Sequence, residues 1–145
     1  ENISFDQIYN LSKDVVVPSR TEQGYNSKGV LIIDDTYNAN PDSFKEAFRV
    51  LDSTDKENKI CVIGDMKELG TDFQQEMKKI IDEACERFDY VFLFNSKFEL
   101  SKENVVKINI ANAEEKIGSL LSKNTAILFK ASRSVKIEDC MNIFK

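Results

Sequence analysis

The chain has 145 residues, a formal net charge of −5 and no histidine. That length is right for one domain with a real core, and the diffuse negative charge argues against a nucleic-acid binder, which needs a basic face. Without histidine, histidine triads, general bases and metal sites are excluded within this chain. No apolar run approaches membrane-spanning length, and the first residues lack the basic-then-apolar pattern of a signal peptide. Cys61, Cys85 and Cys140 fall at apolar-periodic positions without C-x-x-C spacing. They read as buried free thiols in a reducing cytosol, not as metal ligands or disulfides.

In chain order, Ile3, Phe5, Ile8, Tyr9 and Leu11 suggest a short amphipathic helix, and Val15 to Val17 an extended piece. Arg20 to Gln23 reads as a strand, with Tyr25 to Gly29 as the turn into Val30-Leu31-Ile32-Ile33. So short a connection requires antiparallel pairing. Val30 to Ile33 is a continuous, β-branched apolar run, the pattern of a strand buried on both faces. From there strands and helices alternate. The helices are expected at 41–52, 72–87, 112–122 and 134–144, each with apolar residues at helical spacing. The intervening strands are expected at Lys59 to Ile63, Tyr90 to Phe94, Val105 to Ile108 and Thr125 to Phe129. Residues 96–103 are ambiguous, with room for one helical turn. Such alternation predicts right-handed crossovers and a three-layer, Rossmann-like α/β domain. Its sheet is mainly parallel, with an antiparallel N-terminal strand.

Four polar clusters fall on strand-to-helix loops: 34–40, 64–70, 95–97 and 130–134. In a parallel sheet all four converge on one edge, where open α/β sheets bind their ligands. Asp35, at a strand end, suits the two hydroxyls of a ribose; Asp34 either shares that task or caps nearby amides. Tyr37 offers a flat face for a base and Asn38 an amide with donor and acceptor. Asn40-Pro41 reads as N-cap and first helical residue. Lys130, Ser132 and Arg133 offer cations and a hydroxyl to an anionic carboxylate, and Arg133 presents a planar fork. Lys130 has an alternative role, pairing with Asp34 or Asp65. Arg20 suits a phosphate contact.

These stretches also carry a resemblance. Asp34-Asp35-Thr36-Tyr37-Asn38-Ala39-Asn40-Pro41 resembles the DD-S/T-YNANP signature of the Mur ligases. Pro18-Ser19-Arg20-Thr21-Glu22 is similar to that family's P-G-R-x-E, Gly64 to Gly70 to its GDMxELG, and Lys130-Ala131-Ser132-Arg133 to its KGSR. The resemblance covers nearly all of the chain from Pro18 onward. It implies that 18–145 form the C-terminal domain and that 1–17 are the hinge or tail of a central domain. The chain has no G-x-x-x-x-G-K-[ST] loop. In the family that loop, the Mg2+ ligands and a carbamylated lysine belong to the central domain, and the UDP-sugar anchor to the N-terminal one.

The implied activity is ATP-dependent amide ligation in peptidoglycan precursor synthesis, in the cytoplasm. D-alanyl-D-alanine would be added to UDP-N-acetylmuramoyl-tripeptide through an acyl phosphate, with this domain inactive alone. The resemblance gives Asp35 the ATP ribose and Arg20 the ATP phosphates, and the incoming D-alanyl-D-alanine has a carboxylate of the kind that the Lys130 to Arg133 loop suits. Asp65 and Glu68 either hold the substrate ammonium or shape their loop. Ser19 and Ala131 stand where the family has glycine, and Met77 near a histidine found in many members. Another Mur-type amide ligase is the alternative. A receiver-like signalling module, with Asp34-Asp35 and Lys130 as its acids and lysine, has Asn95-Ser96 where it needs a phosphoacceptor aspartate.

Overall fold

The computed structural model describes residues 21–67, 69–99 and 102–145. The expected N-terminal helix and hinge lie outside them. Six strands form one sheet: β1 (Glu22–Tyr25), β2 (Leu31–Asp35), β3 (Asn58–Ile63), β4 (Tyr90–Phe94), β5 (Val105–Ile108) and β6 (Thr125–Lys130). Their order is β1-β2-β6-β3-β4-β5. β1 runs antiparallel to β2, and every other neighbouring pair is parallel. The turn between β1 and β2 is built by Asn26. Its Oδ1 accepts the Lys28 and Val30 amides, and its Nδ2 donates to the Phe144 carbonyl.

The continuous apolar runs have a simple cause: both faces of the sheet are covered. Alternate side chains of each strand go to opposite cores. Leu31, Ile33, Cys61, Ile63, Ala126 and Leu128 face α1 (Pro41–Ser53) and α2 (Phe73–Arg87). Ile32, Ile60, Val62, Ile127 and Phe129 face α3 (Ala113–Ile117) and α4 (Glu138–Met141). The chain steps outward through β3, β4 and β5, then returns to insert β6 between β2 and β3. Loops leaving β2 and β3 therefore turn to one face, and the loop leaving β6 to the other. That divergence opens a crevice at the carboxyl ends of these three strands.

The strands end within a residue or two of their expected limits, and α1 keeps its whole apolar face. Asn40 caps it in a reciprocal capping box with Ser43. Two expected helices are shorter. The one over 112–122 is α-helical only to Ile117; at Gly118 it tightens to a 3-10 turn, Gly118–Leu120, at the residue with least helical preference. The one over 134–144 is broken by Lys136, whose φ of +57° is left-handed. A 3-10 turn (Arg133–Val135) precedes it and α4 follows. Ile137, Cys140, Met141 and Phe144 are buried nonetheless, as their spacing predicts. No helical turn forms among the described residues of 96–103, and Cys85 is half-buried where full burial was expected.

At the carboxyl end of β3, Gly64 lies so close to the turn after β6 that an added Cβ would sit 2.5 Å from Ala131 Cβ and 2.9 Å from Val135 Cγ1. Both obstacles are attached to or next to backbone, so neither can yield. Gly64→Ala should destabilise the domain by about 1–3 kcal/mol, read as a lower urea midpoint at unchanged m-value. The thiols give a second check. Burial pushes the Cys140 thiol up to about 12 and the Cys61 thiol well above its ordinary range. Both stay protonated, hence unreactive, in the folded protein. At pH 9 a thiol reagent should label the half-buried Cys85 first, and Cys61 and Cys140 only after denaturant is added.

Candidate functional site

The parallel register brings the chemistry together. Asp35 on β2 pairs laterally with Lys130 on β6, and Lys130 with Ile63 on β3. Side chains at paired positions of parallel strands lean to the same face. The Lys130 ammonium donates to Asp35 Oδ2 at 2.9 Å and to the Asn38 carbonyl at 2.9 Å. It also lies 5.5 Å above the Phe44 ring, the first aromatic of α1. Lys130 and Asp35 are 1% and 4% exposed. Burial pulls the lysine below its ordinary pKa, and the Asp35 carboxylate beside it works against that. Its partner is Asp35, not Asp34 or Asp65 as the sequence suggested.

Asp34, one residue away, points to the other side of the strand. Its Oδ1 accepts the Thr36 amide and hydroxyl at 3.2 and 2.8 Å. It is the local cap that was one of its two readings. Asp65 is likewise committed within the protein. Its Oδ1 accepts the Ser96 hydroxyl at 2.5 Å and its Oδ2 the Lys97 amide at 2.8 Å. With 1% exposure it holds the 95–97 loop to the 64–70 loop, the loop-shaping alternative. Arg20 and Glu68 lie outside the described residues.

The two outer loops are stitched to each other. Ser132 donates its amide to the Asp65 carbonyl at 3.1 Å, and its hydroxyl accepts the Lys67 amide at 2.7 Å. Ala131 is fully buried and outside the left-handed region. The glycine that the family has there is therefore not needed for a positive φ, and the methyl packs on Gly64 instead. Met77 is fully buried in the α2 face of the core.

Above this floor lies a cleft of about 790 Å³. Tyr37, Asn38 and Asn40 form one wall; Ser132, Arg133 and Lys136 form the other, with Lys67 at one end. The Arg133 guanidinium stands 5.1 Å over the Tyr37 ring. The loops at 34–40 and 130–134, expected as separate ligand surfaces, are two walls of one cleft. Lys67 and Lys136 were not singled out from sequence. Lys136 was hidden because it looked like a mid-helix residue, and its left-handed turn aims it differently. The cleft presents a phenol, amides, hydroxyls, three cations and the Glu138 carboxylate, and its buried hydroxyl, on Ser132, already accepts the Lys67 amide. It suits binding and orientation of an anionic polar ligand rather than covalent catalysis. No helix among the described residues is long and apolar enough to cross a membrane.

Comparison with known proteins agrees with this geometry. The chain matches the family described as Mur ligase, glutamate ligase domain, over residues 19–140. It is 32% identical over 148 residues to the UDP-N-acetylmuramoyl-tripeptide--D-alanyl-D-alanine ligase of Bacillus subtilis, covering 92% of this chain and 32% of that protein. The Rickettsia prowazekii protein of the same name is 30% identical over 122 residues, covering 79% of this chain and 27% of that one. Among solved structures, a MurF ligase from Thermotoga maritima in complex with ADP superposes with a TM-score of 0.74 at 28% identity, covering 95% of this chain and 36% of that one. MurF from Acinetobacter baumannii gives a TM-score of 0.75 at 26% identity, covering 97% and 34%. The chain thus spans about a third of the length of these relatives. These matches do not favour the receiver-like alternative, whose phosphoacceptor position after β4 is Asn95. The DD-T-YNANP, GDMxELG and KxSR stretches, the doubly wound sheet and the match over 19–140 all converge: the chain belongs to the Mur ligase family and carries its C-terminal, glutamate ligase domain.

Proposed function

We propose that residues 18–145 are the C-terminal domain of an ATP-dependent ligase of peptidoglycan synthesis that joins D-alanyl-D-alanine to UDP-N-acetylmuramoyl-tripeptide in the cytoplasm. The carboxylate of the tripeptide would be activated as an acyl phosphate and attacked by the dipeptide amine. Such a reaction depends on positioning and charge neutralisation, not on a protein nucleophile. The observation that carries the reading is the cleft at the sheet's switch point, walled by the family's own signature residues. Mg2+ binding and the phosphate loop are assigned to the family's central domain.

Within the cleft, Tyr37 and Asn38 are exposed and suit the nucleotide's base and sugar. Asp35 was the leading ribose candidate. It is nearly solvent-free with one oxygen taken by Lys130, so its part in nucleotide binding is better cast as holding the loop that carries Tyr37 and Asn38. Arg133 and Ser132 form the wall for the dipeptide carboxylate, and Arg133, exposed at the rim, is the cation there with the planar fork. Arg20 is kept as the phosphate contact on the motif alone.

Two outcomes are expected. The chain by itself should release phosphate from Mg-ATP only at background rate with both peptide substrates present; enzyme-dependent turnover by a clean preparation would overturn the division of labour. In a full-length enzyme carrying this domain, Arg133→Lys keeps the charge but loses the fork. It should raise the dipeptide KM about ten- to a hundred-fold, the equivalent of one charged hydrogen bond. The ATP KM should change less. A rise confined to the ATP KM would reverse the assignment of the two walls.

A further inference from the structure

We infer that Lys130 is a positioning residue that shapes the nucleotide wall of the cleft through the Asn38 carbonyl, rather than a residue that touches substrate. The inference rests on the proposed function for what the cleft binds, but not for the coupling itself. Three observations carry it. The ammonium is 1% exposed, so the cleft ligand does not reach it. Its donors go to Asp35 Oδ2, to the Asn38 carbonyl and toward the Phe44 ring. And Asn38 lies between Tyr37 and Asn40, which line the cleft, while Lys130 is three residues before Arg133, which stacks on Tyr37. One buried cation therefore joins the end of β6 to the backbone of the opposite wall.

The two bonds do different work. Asp35 balances the charge, so that the lysine can be buried at all. Asn38 receives a hydrogen bond that fixes the height of the loop above the sheet. If both statements hold, removing the charge pair together and removing the lysine alone will differ in stability but agree in loop mobility. Leaving Asp35 without a cation strands a buried carboxylate, whereas neutralising both removes that penalty. Neither variant restores a donor to the Asn38 carbonyl.

The test uses the 145-residue chain, its Lys130→Met variant and the Lys130→Met, Asp35→Leu double variant. Hydrogen exchange is read at residues 36–40 and in β3 and β4, with ADP and D-alanyl-D-alanine titrated separately. Loss of one buried hydrogen bond should speed exchange at 36–40 roughly tenfold in both variants. Exchange in β3 and β4 should follow global stability, which the double variant recovers in part. ADP affinity should fall in both variants, and dipeptide affinity should fall less. Exchange at 36–40 rising only as much as in the strands would mean a purely structural role and overturn the inference. So would unchanged exchange at 36–40 with lost dipeptide binding, which would make Lys130 a direct ligand contact. If Lys130→Met fails to fold, the double variant still decides. If the unaltered chain binds neither ligand, the exchange result alone decides the inference, and the proposed function is tested separately by the Arg133→Lys kinetics in a full-length enzyme.

Discussion

The loop that follows β2 is held over the sheet by one buried ion pair, Lys130 with Asp35. Taking two charges out of water costs several kcal/mol per ion before their attraction is counted. A pair of apolar residues would fit the strand ends at lower cost. What the pair adds is direction: the lysine has donors left over after Asp35, and one goes to the Asn38 carbonyl. An apolar side chain has none to give. The pair needs β2 and β6 to be neighbours in register, and these strands are far apart in sequence. The insertion of β6 between β2 and β3 is thus the topological condition for the cleft.

The remaining loops are fastened by the same economy of short polar links. Asp65 holds the 95–97 loop through Ser96 and Lys97, and its own carbonyl accepts the Ser132 amide. Ser132 in turn receives the Lys67 amide. The approach of β3's end to β6's end is set by the missing side chain at Gly64, into whose space the Ala131 methyl fits. The floor of the cleft is therefore tied together loop to loop, while Tyr37 and Arg133 at its rim remain exposed. A tied floor with an accessible rim is what a domain needs if it orients a ligand without performing chemistry on it.

Much of this was legible in the sequence. Strand and helix order, the antiparallel entry, the Asn40 cap and the convergence of the polar loops on one sheet edge all follow from periodicity and from turn chemistry. The failures have physical causes. Gly118 and Lys136 changed the backbone at single residues, and helical spacing of apolar side chains survives such a change, so the pattern gave no warning. The merging of two expected ligand surfaces into one cleft depends on strand order, and a sequence states element order only. The link from Asp65 to Ser96 is a contact between loops of different strands, with the same limitation.

Once β6 is placed beside β2, the fates of Asp34 and Asp35 follow, and the reason is general. Side chains alternate along a strand, so adjacent aspartates must face opposite layers. Asp35 shares its parity with Leu31 and Ile33, which face α1, where Phe44 closes the space above the strand end. Lys130 shares its parity with Ala126 and Leu128, on that same face. Followed to the last residue of each strand, the alternation places Asp35 and Lys130 under α1 together, and Asp34 beyond it. Buried so, Asp35 needs a cation, and Lys130 is the one its neighbouring strand presents. Asp34, half-buried on the opposite face of β2, finds the Thr36 amide instead. The paired acids of the signature are therefore two devices. One closes the turn, and the other holds the cation that carries the loop.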